Sequence, residues 1–89
     1  MQKGAILLSA NNIIEEIFKS TKKASKCIRE YYIKNRYAGA KDKKNIEFFI
    51  YAYLKNYFFF KNLFNKTLIE FNIRNCLIFI YCKEFVNDD

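Results

Sequence analysis

Ile46-Glu47-Phe48-Phe49-Ile50-Tyr51-Ala52-Tyr53-Leu54-Lys55-Asn56-Tyr57-Phe58-Phe59-Phe60 is the stretch on which the fold turns. Its aromatic and β-branched residues suit a pleated sheet as well as a helix. A strand with one buried face would alternate apolar and polar residues, and this stretch does not. Ile46, Phe49, Ile50, Tyr53 and Leu54 instead recur at i, i+3, i+4, i+7 and i+8, with Lys44, Glu47, Tyr51 and Lys55 opposite. That spacing lays one apolar stripe along a helix. Helix is the expectation here, and strand the alternative.

Four more segments carry the same period. Ile6, Ala10, Ile13, Ile14, Ile17 and Phe18 form the first, and Ala24, Cys27, Ile28, Tyr31 and Tyr32 the second. Phe60, Leu63, Phe64, Thr67, Leu68 and Phe71 form the fourth, and Ile73, Cys76, Leu77, Ile80, Tyr81 and Phe85 the fifth. Phe48, Phe58, Phe59 and Phe79 lie off the stripes, so they either thicken the core or face solvent. Ser20 and Thr21 are positioned to cap the second helix through a hydroxyl. Gly39 suits a left-handed helix end, which only a residue without a Cβ adopts freely. Asp42 then falls in the first turn of the next helix, where the dipole favours a carboxylate. Asn56 and Asn72 mark the remaining corners, and residues 86–89 read as a short acidic tail. Without repeat or linker, the pattern predicts one all-α domain, a small bundle of about five short helices.

At 89 residues there is room for one small domain. Such a chain buries about two-thirds of the surface it exposes when unfolded, so its stability is marginal. There is no His, Pro or Trp, and Gly occurs only at Gly4 and Gly39. The commonest general base and metal ligand is therefore missing. A phosphate-cradling loop needs several glycines close together, so most nucleotide enzymes are excluded. Cys27, Cys76 and Cys82 form no C-x-x-C pair, and six helical residues turn Cys76 and Cys82 about 240° apart. They read as buried thiols of a reducing, cytoplasmic setting rather than as metal ligands. Ala5 to Ala10 is too short for a secretory signal, and no apolar run reaches the roughly 18 residues a membrane span needs.

Lys, Asn, Ile, Phe and Tyr make up 52 of the 89 residues, a bias that gene composition alone can produce. Placement is the better guide. Of the formal +7, the segment from Lys19 to Lys44 holds ten basic residues against Glu30 and Asp42, a local charge of +8. The rest of the chain nets −1. A concentrated basic surface attracts polyanions, and counterion release makes such binding steeply salt-dependent. Tyr31, Tyr32 and Tyr37 share the segment. An exposed ring among them could stack on an unpaired base, and Tyr37, beside the glycine, is the best placed. Tyr31 and Tyr32 read more readily as core.

The run Ala24-Ser25-Lys26-Cys27-Ile28-Arg29-Glu30-Tyr31-Tyr32-Ile33-Lys34-Asn35-Arg36-Tyr37-Ala38-Gly39-Ala40-Lys41-Asp42-Lys43-Lys44, followed by Ile46 and by Ile50-Tyr51-Ala52-Tyr53-Leu54-Lys55, carries a family resemblance. It resembles the NusB-like N-terminal domain of the ribosomal RNA cytosine-5 methyltransferases, the RsmB (Fmu/Sun) family. That family has an alanine-led helix ending in an aromatic-rich segment, a Gly-Ser-x-Asp-Arg turn, and a helix closing on a Leu-Arg pair. The turn here reads Gly39-Ala40-Lys41-Asp42-Lys43. Ala40 stands where the family has Ser, which would remove a hydroxyl N-cap worth roughly 1 kcal/mol. Lys43 and Lys55 replace Arg and lose its bidentate fork. The likeness covers residues 24–55, about a third of the chain.

The resemblance implies a single NusB-like domain over residues 1–89, truncated on its C-terminal side and lacking a catalytic domain. The family's methyltransferase domain needs a glycine-rich loop for S-adenosylmethionine and a Pro-Cys nucleophile motif, and this chain has no Pro. No catalytic residue, metal or cofactor is expected, and no enzyme activity. The expected function is RNA binding, ribosomal RNA by the resemblance. Arg36, Lys41, Lys43 and Lys44 would contact phosphates around Gly39, with Arg29, Lys34 and Lys55 flanking. Tyr37 is the candidate stacking ring, and Gly39 and Asp42 form the structural turn and cap. Ten Phe keep open a rival, a module that docks a separate methyltransferase domain or another protein through exposed apolar surface. A non-functional gene remnant is the third reading. No membrane partner is expected.

Overall fold

The computed structural model describes residues 2–36 and 38–86, the last two by their backbone alone. Tyr37 and the end of the acidic tail, residues 87–89, lie outside the described residues. Five α-helices follow in order: α1 (Lys3–Lys19), α2 (Ala24–Lys34), α3 (Ala40–Lys55), α4 (Tyr57–Asn65) and α5 (Ile73–Tyr81). A π-helical turn, Cys82–Val86, extends α5. Residues 46–60 are helical apart from the Asn56 corner between α3 and α4, so the strand alternative falls. The domain is all-α, and no strand occurs among the described residues.

Helix α1 packs against α2, α3 and α5, and α3 also packs against α5. Ile6, Ala10, Ile13 and Ile14 meet Ile46, Phe49, Ile50 and Tyr53, with Cys76, Leu77 and Ile80 closing the cluster. Helix α4 joins this core through rings. Phe60 stacks on Tyr53 with centroids 6.4 Å apart and meets Phe79 edge-on at 5.7 Å. Phe64 lies 6.4 Å from Phe71 and 6.2 Å from Phe79. Phe79, off its predicted stripe, thus thickens the core. Buried Ser9 was not expected on the apolar face of α1; its Oγ accepts a hydrogen bond from the Tyr31 hydroxyl at 3.3 Å. That bond fits Tyr31 into the core, since a buried hydroxyl left unpaired is costly.

The Cα extents are 38 × 36 × 17 Å. Packed helix axes lie about 8–10 Å apart, so the short dimension holds only two helices. A slab this thin leaves each helix one face toward solvent. That geometry is why Phe48, Phe58 and Phe59 are exposed.

Several local expectations are corrected. Gly39 is not left-handed: φ is −80° and ψ −179°, an extended conformation open to any residue. It is the N-cap of α3 rather than the end of α2, and its N–H donates to the Asp42 carboxylate at 3.4 Å. Ala40 is therefore the first helical residue, so a Ser at position 40 would not be the cap. Neither Ser20 nor Thr21 caps α2. The N-cap is Lys23, and the Ser20 hydroxyl instead accepts the Lys22 N–H at 3.1 Å, folding the connection back on itself. The fourth stripe overran its helix, because α4 ends at Asn65 and leaves Thr67 and Leu68 in an exposed loop. Phe18 is also largely exposed, although its ring touches Tyr53 and Tyr57. Asn72 marks a corner as expected, and there its side chain caps α5, accepting from the Asn75 N–H at 2.8 Å. Of the three thiols, Cys27 and Cys76 are buried but Cys82 is exposed.

Candidate nucleic-acid interface

The basic segment folds into α2, the Gly39 turn and the first half of α3. Lys41, Lys44, Phe48, Tyr51 and Lys55 follow one another at steps of three or four residues along α3, and all five are exposed. They form a single stripe opposite the buried Ile46–Phe49–Ile50–Tyr53 face. Lys44 and Lys55 lie about 16 Å apart along the axis, with the two aromatic rings between them.

A groove runs along each side of this stripe. The first, of about 630 Å³, lies between α2 and α3 and collects Arg29, Arg36 and Lys43 with Tyr32, Glu47 and Tyr51. Here the Lys43 ammonium sits 5.0 Å from the centre of the Tyr32 ring, a cation–π contact that orients it. The Tyr32 hydroxyl donates to Glu47 Oε2 at 3.1 Å and lies 3.3 Å from the Lys43 carbonyl. Burial, reinforced by Glu47, pushes that hydroxyl well above the ordinary tyrosine range, so it remains a donor. Tyr32 is thus a tether between α2 and α3, half-buried and packed against the core rather than within it.

The second groove, of about 530 Å³, lies between α3 and the α4–α5 pair. Ala52, Phe60, Phe79 and Ile80 line its apolar part. Lys44, Lys55 and Lys83 bring cations to it, Glu47 and Glu84 carboxylates, and Phe48, Tyr51 and Phe59 exposed rings. Tyr51 and Glu47 belong to both grooves, so the two form one continuous surface across α3.

The structure therefore gathers five of the seven basic candidates at the grooves: Arg29, Arg36, Lys43, Lys44 and Lys55. Lys41 extends the stripe beyond them. Lys34 is not among the groove residues; five positions past Arg29, it points about 140° away around α2. Arg36 is partly engaged, its Nε donating to the Ile33 carbonyl at 3.3 Å. Of the segment's two acids, Glu30 is held by Lys22, whose Nζ lies 2.8 Å from Oε1. The hydrogen bond and charge of Lys22 lower the Glu30 carboxyl below its usual value and raise the Lys22 ammonium above its own. Asp42 lies in the first turn of α3 and closes on the Gly39 N–H.

Tyr51, Phe48, Phe59 and Lys83 are groove residues that the basic segment did not single out. For Tyr51 and Phe48 the signal was present, since they continue the Lys41–Lys44 period toward Lys55. Phe59 and Lys83 reach the groove only through tertiary packing and have no local signal. Among the described residues no group of three or more His, Cys, Asp or Glu side chains could hold a metal ion, and no helix is long and apolar enough to cross a membrane. No family model, curated protein or solved structure matches this chain.

Proposed function

We propose that this chain is a non-catalytic RNA-binding module whose interface is the outer face of α3 with the two grooves beside it. The observation that carries the reading is the alignment of Lys41, Lys44 and Lys55 along that face, with Arg29, Arg36 and Lys43 in the adjoining groove. Cations at several points of one surface engage successive phosphates, and each contact releases counterions. The sequence that resembles the NusB-like domain of ribosomal RNA methyltransferases, residues 24–55, is the same α2–turn–α3 unit. That coincidence supports ribosomal RNA as the target and cytoplasm as the setting. Fluorescence anisotropy with a structured ribosomal RNA fragment at two salt concentrations tests the proposal. Binding that weakens steeply with salt is expected, and salt-independent binding or none at low salt would overturn it.

A second reading rests on a different surface. Leu8 on α1 and Ile78 on α5 are exposed beside a groove of about 340 Å³ that also includes Leu7, Leu77 and Arg74. An apolar edge of this kind suits a helical partner, such as a separate methyltransferase domain. Light scattering separates the readings: a dimer or a stable heterocomplex favours the second, and a clean monomer at micromolar concentration disfavours it.

A further inference from the structure

We infer that the groove between α3 and the α4–α5 pair takes unpaired RNA bases, stacked on Tyr51 and Phe59, so that the module selects single strands over duplex. This rests on the RNA-binding reading above and adds the form of RNA that the site accepts.

The groove's composition carries the argument. A phosphate-binding surface needs cations and no rings, yet Tyr51 and Phe59, 47% and 54% exposed, line this groove together with Lys44, Lys55 and Lys83 and the carboxylates of Glu47 and Glu84. Tyr51 lies between Lys44 and Lys55 on α3, so a strand whose phosphates lie on those two ammoniums passes its bases across the ring. Phe59 lines the same groove from the α4 side, its ring steadied edge-on by Phe60 at 5.6 Å. Ala52, Phe60, Phe79 and Ile80 offer apolar contact, and Lys83 a further cation. At about 530 Å³ the groove is of the size of small-molecule sites, roughly 300–1,000 Å³, which is room for bases.

Duplex RNA cannot use these rings. Its bases are stacked inside, its major groove is too deep and narrow for side chains, and its shallow minor groove displays 2′-hydroxyls and base edges but no base faces. Single strands present a π-face at every base, and stacking on protein rings is tolerant of sequence. The groove therefore predicts a preference for unpaired RNA with little sequence discrimination.

The test measures anisotropy of three labelled probes of equal length: an oligouridylate, an RNA duplex, and an abasic strand with the same phosphates. The oligouridylate is expected to bind at least about tenfold more tightly than the other two. Tyr51→Ala should lower its affinity about 5- to 150-fold, the range for losing one stacked base, and should leave the abasic strand and the salt slope unchanged. Tyr51→Phe keeps the ring and should retain affinity, and Phe59→Ala should repeat the loss from a different helix. Circular dichroism of each variant checks that the fold persists. Equal, salt-dependent binding of all three probes overturns this inference while leaving the RNA-binding reading intact. If no probe binds at low salt, both fall. A dimer in light scattering that Tyr51→Ala dissolves also overturns it, since the groove would then be filled by a second copy.

Discussion

On α3, Phe49 and Ile50 are 5% and 0% exposed, whereas their neighbours Phe48 and Tyr51 are 43% and 47% exposed. Both sides of this helix are rich in aromatic and aliphatic residues, so hydrophobicity does not distinguish them. What lies opposite does. The inner side meets α1 and α5, and the outer side shares its stripe with Lys41, Lys44 and Lys55. An apolar residue whose helical neighbours are apolar belongs to the core. One whose neighbours are cations is available to a ligand that brings both charge and flat apolar surface. The inner side holds the fold together, and the outer side is the proposed binding face.

Substitutions can break this comparison, and the largest effect belongs inside. Ile50→Ala removes a fully buried side chain and leaves a cavity, so stability should fall by about 2–5 kcal/mol in chemical denaturation. In a domain this small that loss approaches the whole stability. The outer counterpart is the combined Lys41→Ala, Lys44→Ala and Lys55→Ala variant. It should keep the wild-type circular dichroism melt while flattening the log–log salt slope for a single-stranded RNA by about 2, at roughly 0.7 per phosphate contact. A folding defect in the triple variant with an unchanged slope would reverse the roles of the two sides.

Alkaline pH should weaken the inner side. Burial pushes the Cys76 thiol up to about 11 and the Tyr53 hydroxyl up to about 12, from ordinary values of 9.0 and 10.0. Both groups are neutral when protonated, and the folded state holds those protons more tightly than the unfolded chain. Their contribution to stability is thus complete below about pH 9 and is lost as pH rises through about 11 to 12. Urea midpoints measured at pH 8 and at pH 10.5 should fall at the higher pH. A constant midpoint would show that neither group is held in the apolar setting described.

Smaller still is the effect at the start of α3. Gly39 caps the helix in an extended conformation, and a Cβ built there meets nothing within 4 Å. Gly39→Ser supplies a hydroxyl for the Asp42 N–H and completes a capping box with the Asp42 carboxylate. It also restricts the unfolded chain, so stability should rise by about 0.5–1 kcal/mol. That raises Tm by a few degrees for a domain of this size. A fall in Tm would restore the left-handed turn expected from sequence. Least of all, Glu30→Gln breaks an exposed ion pair and should leave Tm unchanged while slightly tightening RNA binding.

Much of the fold was legible because the apolar period of each helix survives in a single segment. The i, i+3, i+4 stripe of residues 46–54 outweighed their β-favouring composition, and the core follows that stripe. Legibility failed where the deciding information is not local. Leu68 continues the α4 period on paper, but the chain turns at Lys66 and Thr67, and the Thr67 hydroxyl bonds the Phe64 carbonyl at 3.1 Å to end the helix. Gly39 was read by its residue type, yet its backbone needs no special freedom. At the candidate site Lys55 came from the family resemblance, whereas charge placement pointed to Arg29, Arg36, Lys43 and Lys44, because charge density is a property of sequence. It included Lys34, which helical rotation turns away, and omitted Phe59 and Lys83, which only the packing of α4 and α5 brings to the groove.

A two-dimensional amide NMR titration of the folded protein with a short oligouridylate at low salt locates the binding face residue by residue. Shifts should concentrate on the outer positions of α3, from Lys41 to Lys55, with Arg29, Arg36, Phe59 and Lys83 responding and α1 silent. Shifts confined to Leu8, Ile78 and their neighbours, or none at all, would contradict the proposed face.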